Sequence, residues 1–436
     1  MGKDFYLVVI GQIVSLFGNA ILRFALPLYI LEVSGSPALF GTVLALSSLP
    51  LIIMSPIGGV VADRVNKKRI MVALDFTASA MVIIYAWASG FTPLVPATVA
   101  MLMTLFAIQG MMHPAVESSV PLLVPANQLV RANAVVFLIS ALSGMVGPAI
   151  GGILFAGFGI RPILIVAAIS LALAALMELF IRIPHPEQEP VDNVFTMVIK
   201  DLGKGLRFVF KEKPILAKIT VIIFFLQFVL SPLIIIGLPV LIIQNLGFDG
   251  QMLGIAQGVM ATGGVAGGIM ASVLGERLRI QNNHILVLIC ALSCVPMGIV
   301  FLLDAGAMAA YIVITASIPA ALCASVLFSV RTFAYVQAES PPDMVGKVMA
   351  FFLMLALLAQ PLGHFMYGIL FERFAEMPWF IIFGAVILSS IMALYSRRHF
   401  TAISETNEPQ NLQSQDQDIL PLDSHLHPSS PSPPGI

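Results

Sequence analysis

The chain has 436 residues, 58% of them hydrophobic and 10% charged, with 29 phenylalanines, 22 methionines and a net charge of −1. So few ionised side chains cannot cover a water-facing globule of this size, so a soluble domain is excluded and a membrane protein is expected. The near-neutral balance gives no reason to expect a nucleic-acid partner.

A bilayer core takes about 20 apolar residues per helix, and roughly twelve segments of that kind follow one another along the chain. They lie near 5–31, 38–62, 70–90, 94–120, 132–157, 161–183, 215–244, 250–274, 283–303, 307–334, 346–371 and 378–396. Their length and lack of alternating polarity predict an all-α membrane protein and not a β-barrel. The first segment is too long for a signal-peptide core and no small-residue cleavage site follows it, so it is expected to stay as an anchor. Within it Gln12, Ser15, Asn19 and Arg23 recur at three- or four-residue steps and share one helical face. Ionisable residues inside spans are functional candidates by default. Arg23 either faces a central cavity or snorkels to the headgroups from two turns inside the outer edge.

The second and third segments flank "GGVVADRVNKKRI", residues 58–70. Gly58 and Gly59 are expected to end the second span, with Asp63, Arg64, Lys67, Lys68 and Arg69 filling a short turn. Asp75, about a turn and a half into the third span, and Glu178, near the end of the sixth, are expected to partner the basic turns. The fourth span carries Gln109, His113 and Glu117 at four-residue steps. In the fifth, "GPAIGG" at Gly147–Gly152 combines a helix-bending proline, Pro148, with the small residues Gly147, Gly151 and Gly152, which allow close packing.

Residues 184–214 form the longest internal linker. It opens Pro- and acid-rich and closes as an amphipathic surface helix, with Val198, Leu202, Leu206 and Val209 on one side. It separates an N-terminal six-helix bundle, residues 1–183, from a C-terminal one, residues 215–398. The seventh span contributes Thr220, Gln227 and Ser231, the tenth Arg331 and Tyr335, and the eleventh the pair Gln360 and His364. Cys290, Cys294 and Cys323 all sit inside spans, which leaves no disulfide framework. The polar tail, residues 399–436, is expected to be disordered, and its His425 and His427 are read as unstructured, so no metal site is expected.

The halves repeat each other. "GILFAGF" at 152–158 pairs with "GILFERF" at 368–374, and "PANQLVRANA" at 125–134 with "PPDMVGKVMA" at 341–350, both at an offset of 216 residues. In transporters such repeats enclose a midplane cavity and rock about it. The loops on one side collect Lys3, Arg64, Lys67, Lys68, Arg69, Arg131, the basic linker, Arg277, Arg279, Lys347, Arg397 and Arg398, whereas the other side holds only Arg161 and Arg373. Basic residues are retained on the cytoplasmic side, so both termini are expected there.

Gly59, Asp63, Arg64, Lys68 and Arg69 match the G-x-x-x-D-R-x-G-x-[RK]-[RK] signature of the major facilitator superfamily, with Asn66 in the place of its Gly. Asn tolerates a positive φ, which would preserve the turn. The resemblance implies the major facilitator fold, twelve transmembrane helices in two pseudo-symmetric six-helix bundles. It also implies that Asp63 and Arg64 latch the cytoplasmic faces together, Asp63 against the start of the eleventh span and Arg64 against an acid such as Glu117. "GPAIGG" resembles the core of the superfamily's exporter motif, with Ser143 where a Gly is usual. The stretches at 25–37, 113–135, 201–214 and 341–350 resemble the branch of siderophore exporters and macrolide efflux pumps. Relatives in the superfamily's drug-efflux branches often carry a carboxylate in the first span, where this chain has Asn19, so a transported proton would fall to Glu117, His113 or Asp75.

The expectation is therefore a secondary transporter in a bacterial inner membrane. It would export a small amphiphilic drug or siderophore by alternating access with proton antiport, as a monomer in the lipid bilayer that needs no cofactor. Substrate and coupling candidates are Asn19, Arg23, Gln109, His113, Gln227 and Arg331; the gate is Gly59, Asp63, Arg64, Lys68, Arg69, Asp75 and Glu117. An uptake carrier or a non-transporting receptor or scaffold on the same fold are the alternatives. No H-E-x-x-H, G-x-S-x-G or P-loop is present, so no catalytic residue is assigned and an enzyme is not expected.

Overall fold

The computed structural model describes residues 2–125, 128–183, 194–274, 280–341 and 344–417. The twelve predicted spans are present among them as long apolar helices. In lipid, a helix satisfies its own backbone polar groups, which is why these runs of Leu, Ile, Val and Phe form helices despite their many β-branched residues. The N-terminal half comprises α1 (Lys3–Ser34), α2 (Pro37–Arg64), α3 (Lys67–Ala88), α4 (Leu94–Leu123), α5 (Leu129–Phe158) and α6 (Ile160–Glu178). The linker contributes α7 (Val194–Arg207), which runs into a wider turn over Phe208–Glu212.

The C-terminal half begins with α8 (Pro214–Ile235), whose span continues through the short α9 (Gly237–Pro239) and another wide turn at Val240–Asn245. Next come α10 (Gly250–Leu274), α11 (Asn283–Leu292) and α12 (Val295–Leu302), then α13 (Ala307–Glu339), α14 (Val345–Arg373) and α15 (Pro378–Gln417). The ninth span is thus α11 and α12, interrupted at Ser293 and Cys294, with Pro296 in the first turn of α12, where its missing N–H leaves no helix hydrogen bond unmade.

Local signals set the boundaries. Gly35 adopts φ +63° and donates its N–H to the Leu31 carbonyl at 2.9 Å, ending α1 as a left-handed cap. One residue later the Ser36 hydroxyl accepts the Leu39 N–H at 3.1 Å and Pro37 opens α2. The turn between α2 and α3 is shorter than expected. Gly58 and Gly59 lie inside α2, Arg64 is its last residue, and only Val65 and Asn66 separate it from α3. Gly58 is there because α2 crosses α4 backbone to backbone; a Cβ would lie 2.7 Å from Met111 Cα. Asn66 does not use a positive φ. Its φ is −56°, and its side chain accepts the Arg69 N–H at 3.4 Å, so the residue serves as the N-cap of α3.

Two further expectations change. In α7 the packed face is Leu202, Gly205 and then Phe208 and Val209, while Leu206 is exposed. Gly205 sits so near α14 that a Cβ would come within 2.7 Å of the Lys347 carbonyl, and this close seat sets which face turns inward. The helix of the last span also runs past residue 399 to Gln417, since extending a formed helix adds a hydrogen bond for each residue fixed. His425, His427, Arg277 and Arg279 lie outside the described residues, as does the side chain of Asp63.

The two halves meet in two crossings, α5 on α10 and α2 on α14. Both use glycine. A Cβ on Gly152 would lie 2.9 Å from Gly254 Cα, and one on Gly41 would lie 2.4 Å from the His364 carbonyl and 2.8 Å from Gly368 Cα. Gly152 and Gly368 are the first residues of the two copies of the "GILF" repeat, so the repeated sequence makes the same contact twice. Both crossings fall on the face opposite the basic loops. There a single apolar core containing Leu31, Phe40, Phe155, Leu241 and Phe371 spans both halves. Towards the basic face the core divides. One cluster around Phe208, Leu216 and Phe352 belongs to the linker and C-terminal half, and others around Val8, Met71 and Phe5 belong to the N-terminal half.

Candidate functional site

Between the halves lies a cavity of about 510 Å³. Its walls come from α1, α2, α4 and α5 on one side and α8, α10, α11 and α13 on the other. Most of the lining is Leu, Ile, Phe, Met and Pro, including Phe24, Phe40, Phe106, Met145, Met260 and Phe328. Polar groups are few: Arg23, Gln227, Ser231, Gln257 and Ser325. A large apolar space with a small number of convergent polar groups is the usual form of a small-molecule site.

Arg23 faces inward instead of snorkelling. Its guanidinium lies 5.2 Å from the centre of the Phe106 ring, a cation–π contact, and its Nε has no hydrogen-bond partner. Arg23 also borders a second, narrow cleft of about 30 Å³ in the N-terminal half. This cleft gathers Gln12, Ser15, Asn19, Asp75, Gln109, His113 and Glu117, so the polar faces read from the first and fourth spans do meet. Asn19 donates from Nδ2 to the Ser15 carbonyl at 3.1 Å, while its Oδ1 and the Gln109 Oε1 are unpartnered.

His113 and Glu117 stand one turn apart on α4, Nδ1 to Oε1 3.3 Å, with side chains 47% and 64% exposed. The partner of Glu117 is thus His113 and not Arg64. Asp75 and Glu178 likewise do not bind the basic turns. Asp75 accepts the Ser15 hydroxyl at 2.8 Å, and Glu178 accepts the Gln12 amide at 3.5 Å, both in fully buried positions. Gln227 lines the main cavity, whereas Arg331, three residues past the lining Phe328 on α13, is not part of its wall and is buried at 7% exposure with both terminal nitrogens unpartnered. Of the residues expected to form a gate, Gly59 faces open space, Arg64 closes α2, and Lys68 and Arg69 stand in the first turn of α3.

The "GPAIGG" segment packs on two sides at once. A Cβ on Gly147 would meet the Ala20 Cβ at 2.5 Å and one on Gly151 the Phe24 ring at 3.3 Å, both on α1, while Gly152 meets α10. Pro148, between them, lines the cavity. Sequence reasoning missed Phe106, Met145 and Gln257. Gln257 is an amide in an otherwise apolar stretch of the eighth span, which is the signal that marks it; the other two look like ordinary apolar residues until α4 and α5 are placed.

Among curated proteins, the chain is 24% identical over 394 residues to macrolide efflux protein A of Streptococcus pyogenes, covering 88% of this chain and 93% of the relative. Among solved structures, it superposes with a TM-score of 0.70 on a mutant of the nucleoside transporter NupG, at 15% identity over 92% of this chain and all of the other. A bacterial homologue of the human lysosomal transporter Spinster, in an inward-facing unoccupied conformation, gives 0.68 at 15% identity, over 92% of this chain and 98% of the other. The family model of the Major Facilitator Superfamily matches residues 8–364. With twelve spans, two repeated halves and a cavity between them, the chain belongs to the Major Facilitator Superfamily of small-molecule transporters.

Proposed function

We propose that the protein exports a small amphiphilic compound across a bacterial inner membrane by alternating access, driven by protons moving the other way. The observation that carries this reading is the central cavity, apolar over most of its wall and bordered by one guanidinium, Arg23, against an aromatic ring. Such a wall suits hydrophobic compounds with a polar or anionic group, and Met145 and Met260 can repack around several shapes. Two further features favour export: the likeness to a macrolide efflux protein, and the "GPAIGG" segment at the junction of α1, α5 and α10. With the basic loops cytoplasmic, both glycine crossings lie on the outer side, and the divided core leaves the cavity approachable from inside.

The test is efflux from inverted membrane vesicles across a compound panel that includes macrolides, with and without an imposed pH gradient. Export predicts gradient-dependent accumulation inside the vesicles. Loss of accumulation when the gradient is collapsed supports proton drive. Movement only in the opposite sense, or growth loss of a deletion strain on one nutrient, would assign the carrier to uptake instead. Arg23→Ala should weaken binding of an exported compound with a polar or anionic group by roughly tenfold or more, the loss of one hydrogen bond to a charged group at about 1.5–3 kcal/mol, measured by titration of the purified protein.

A further inference from the structure

Among the described residues, two buried acids in the N-terminal half have no counterion. Asp75 on α3 and Glu178 at the end of α6 are both fully enclosed, and α1 packs against α6 beside them. Each receives one hydrogen bond from α1, Ser15 to Asp75 Oδ1 and Gln12 to Glu178 Oε1. Those donors are three residues apart and so stand on one face, which brings the two carboxyl groups to the same level of the bundle. The close fit shows at Gly11, where a Cβ would lie 3.6 Å from the Glu178 Cγ. The other oxygens, Asp75 Oδ2 and Glu178 Oε2, are buried with no hydrogen-bond partner. Among the described residues no lysine or arginine comes within ion-pair distance of either acid.

Two neighbouring carboxylates without a cation are costly to keep ionised away from water. A shared proton relieves that cost and gives an orphan oxygen a donor. We propose that Asp75 and Glu178 together form a reversible proton-binding site, loaded and emptied through the narrow cleft beside α1. The site would supply the proton step of the export reading above, but its titration stands or falls without any substrate.

The cleft has room for a water molecule, since about 10–15 Å³ of such space is enough for one. It runs from Asp75 past Asn19 and Gln109 to His113 and Glu117, whose exposed side chains open it to solvent. Arg23 borders both this cleft and the central cavity, so the charge on the pair is felt where a substrate would sit. Besides Asp75, the titratable and charged groups lining the cleft are Arg23 from α1 and His113 and Glu117 from α4; at the Glu178 end stand Asp4 of α1 and Arg182, whose N–H Asp4 accepts at 3.0 Å. α5 brings only Val136 and Ser140, and Lys67 stands two turns nearer the basic face on α3 itself. Sodium is a poorer occupant, because Ser15 and Gln12 turn N–H and O–H donors towards the acids where an ion would require several more oxygen ligands.

The experiment is infrared difference spectroscopy of the full-length protein in lipid nanodiscs, titrated with acid and base in the absence of substrate. Wild type should show a carboxylic-acid C=O band that rises and falls with pH. Asp75→Asn and Glu178→Gln should each move its midpoint by about one pH unit or more, as removal of one member of a coupled pair does. The double variant should lose the band, and Glu32→Gln, an exposed acid, should leave it in place. A band unchanged in both single variants, or one that responds to sodium at fixed pH, would overturn the proposal. Either single variant decides the matter should the double variant fail to fold. An intact titration with no proton-driven efflux would count against the export reading alone.

Discussion

The two crossings that join the halves are built from the same repeat, yet among the described residues only one of them carries a polar fastening. At α14 on α2, Glu372 accepts hydrogen bonds from the Ser36 hydroxyl and from the Ala38 N–H, the latter at 3.1 Å, tying the end of one half to the start of a helix in the other. At α5 on α10 the residue in the matching place, 216 positions earlier, is Ala156, whose Cβ merely touches the space above Gly250 at 3.4 Å. The glycines are therefore what the crossing geometry requires, and the hydrogen bonds are an addition that one copy acquired. A carboxylate at that place is well sited, since the free N–H groups and the dipole of α2 both favour an anion.

The largest expected effect comes from filling a crossing. Gly41→Val would drive a side chain into the His364 carbonyl, and Gly152→Val would do the same against α10. Overpacking of this kind costs about 1–3 kcal/mol, so the closed arrangement of the end opposite the basic loops should lose roughly 5- to 150-fold in population. Spin labels on Thr92 and Ala305, in loops of opposite halves on that face, should then report longer distances. Similar lengthening in the two variants would support equivalence of the crossings, and an effect at one site alone would break it. A smaller change is expected from Glu372→Gln. Loss of the charge at this exposed position should weaken closure by about 1 kcal/mol, roughly fivefold, with no change in thermal stability. If Glu372→Gln matched Gly41→Val, the hydrogen bonds and not the glycines would be holding the end shut.

The halves also differ in their buried charge. Among the described residues the N-terminal half encloses two acids, Asp75 and Glu178, together with Lys67, while the C-terminal half encloses Arg331 and His364 and no acid. The repeat has kept the scaffold and let the polar chemistry diverge.

Much of this was readable beforehand. Helix number, the linker and the repeat follow from hydropathy and spacing, because lipid forces each apolar run to close its own hydrogen bonds. The polar faces of α1 and α4 were legible for the same reason, since a 3.6-residue period fixes which side chains share a side. What was not legible is pairing between helices. Asp75 and Glu178 are 103 positions apart and look like partners for nearby lysines and arginines; only the packing of α1 against α6 puts Gln12 and Ser15 in their way. The exposed Leu206 misled for a related reason, as Gly205, with no side chain to mark it, decides how α7 sits on α14.

A crossing made of glycine backbone has a mechanical result. Where helices interlock through side chains, sliding one past the other makes rotamers jump over each other, each with its own barrier. At Gly152 on Gly254 and at Gly41 on Gly368 the closest approach is backbone to backbone, with no side chain on either glycine to unmesh. The two glycine pairs add little friction of their own, and what resists movement at this end is the apolar core around them and the Glu372 carboxylate on Ser36 and Ala38.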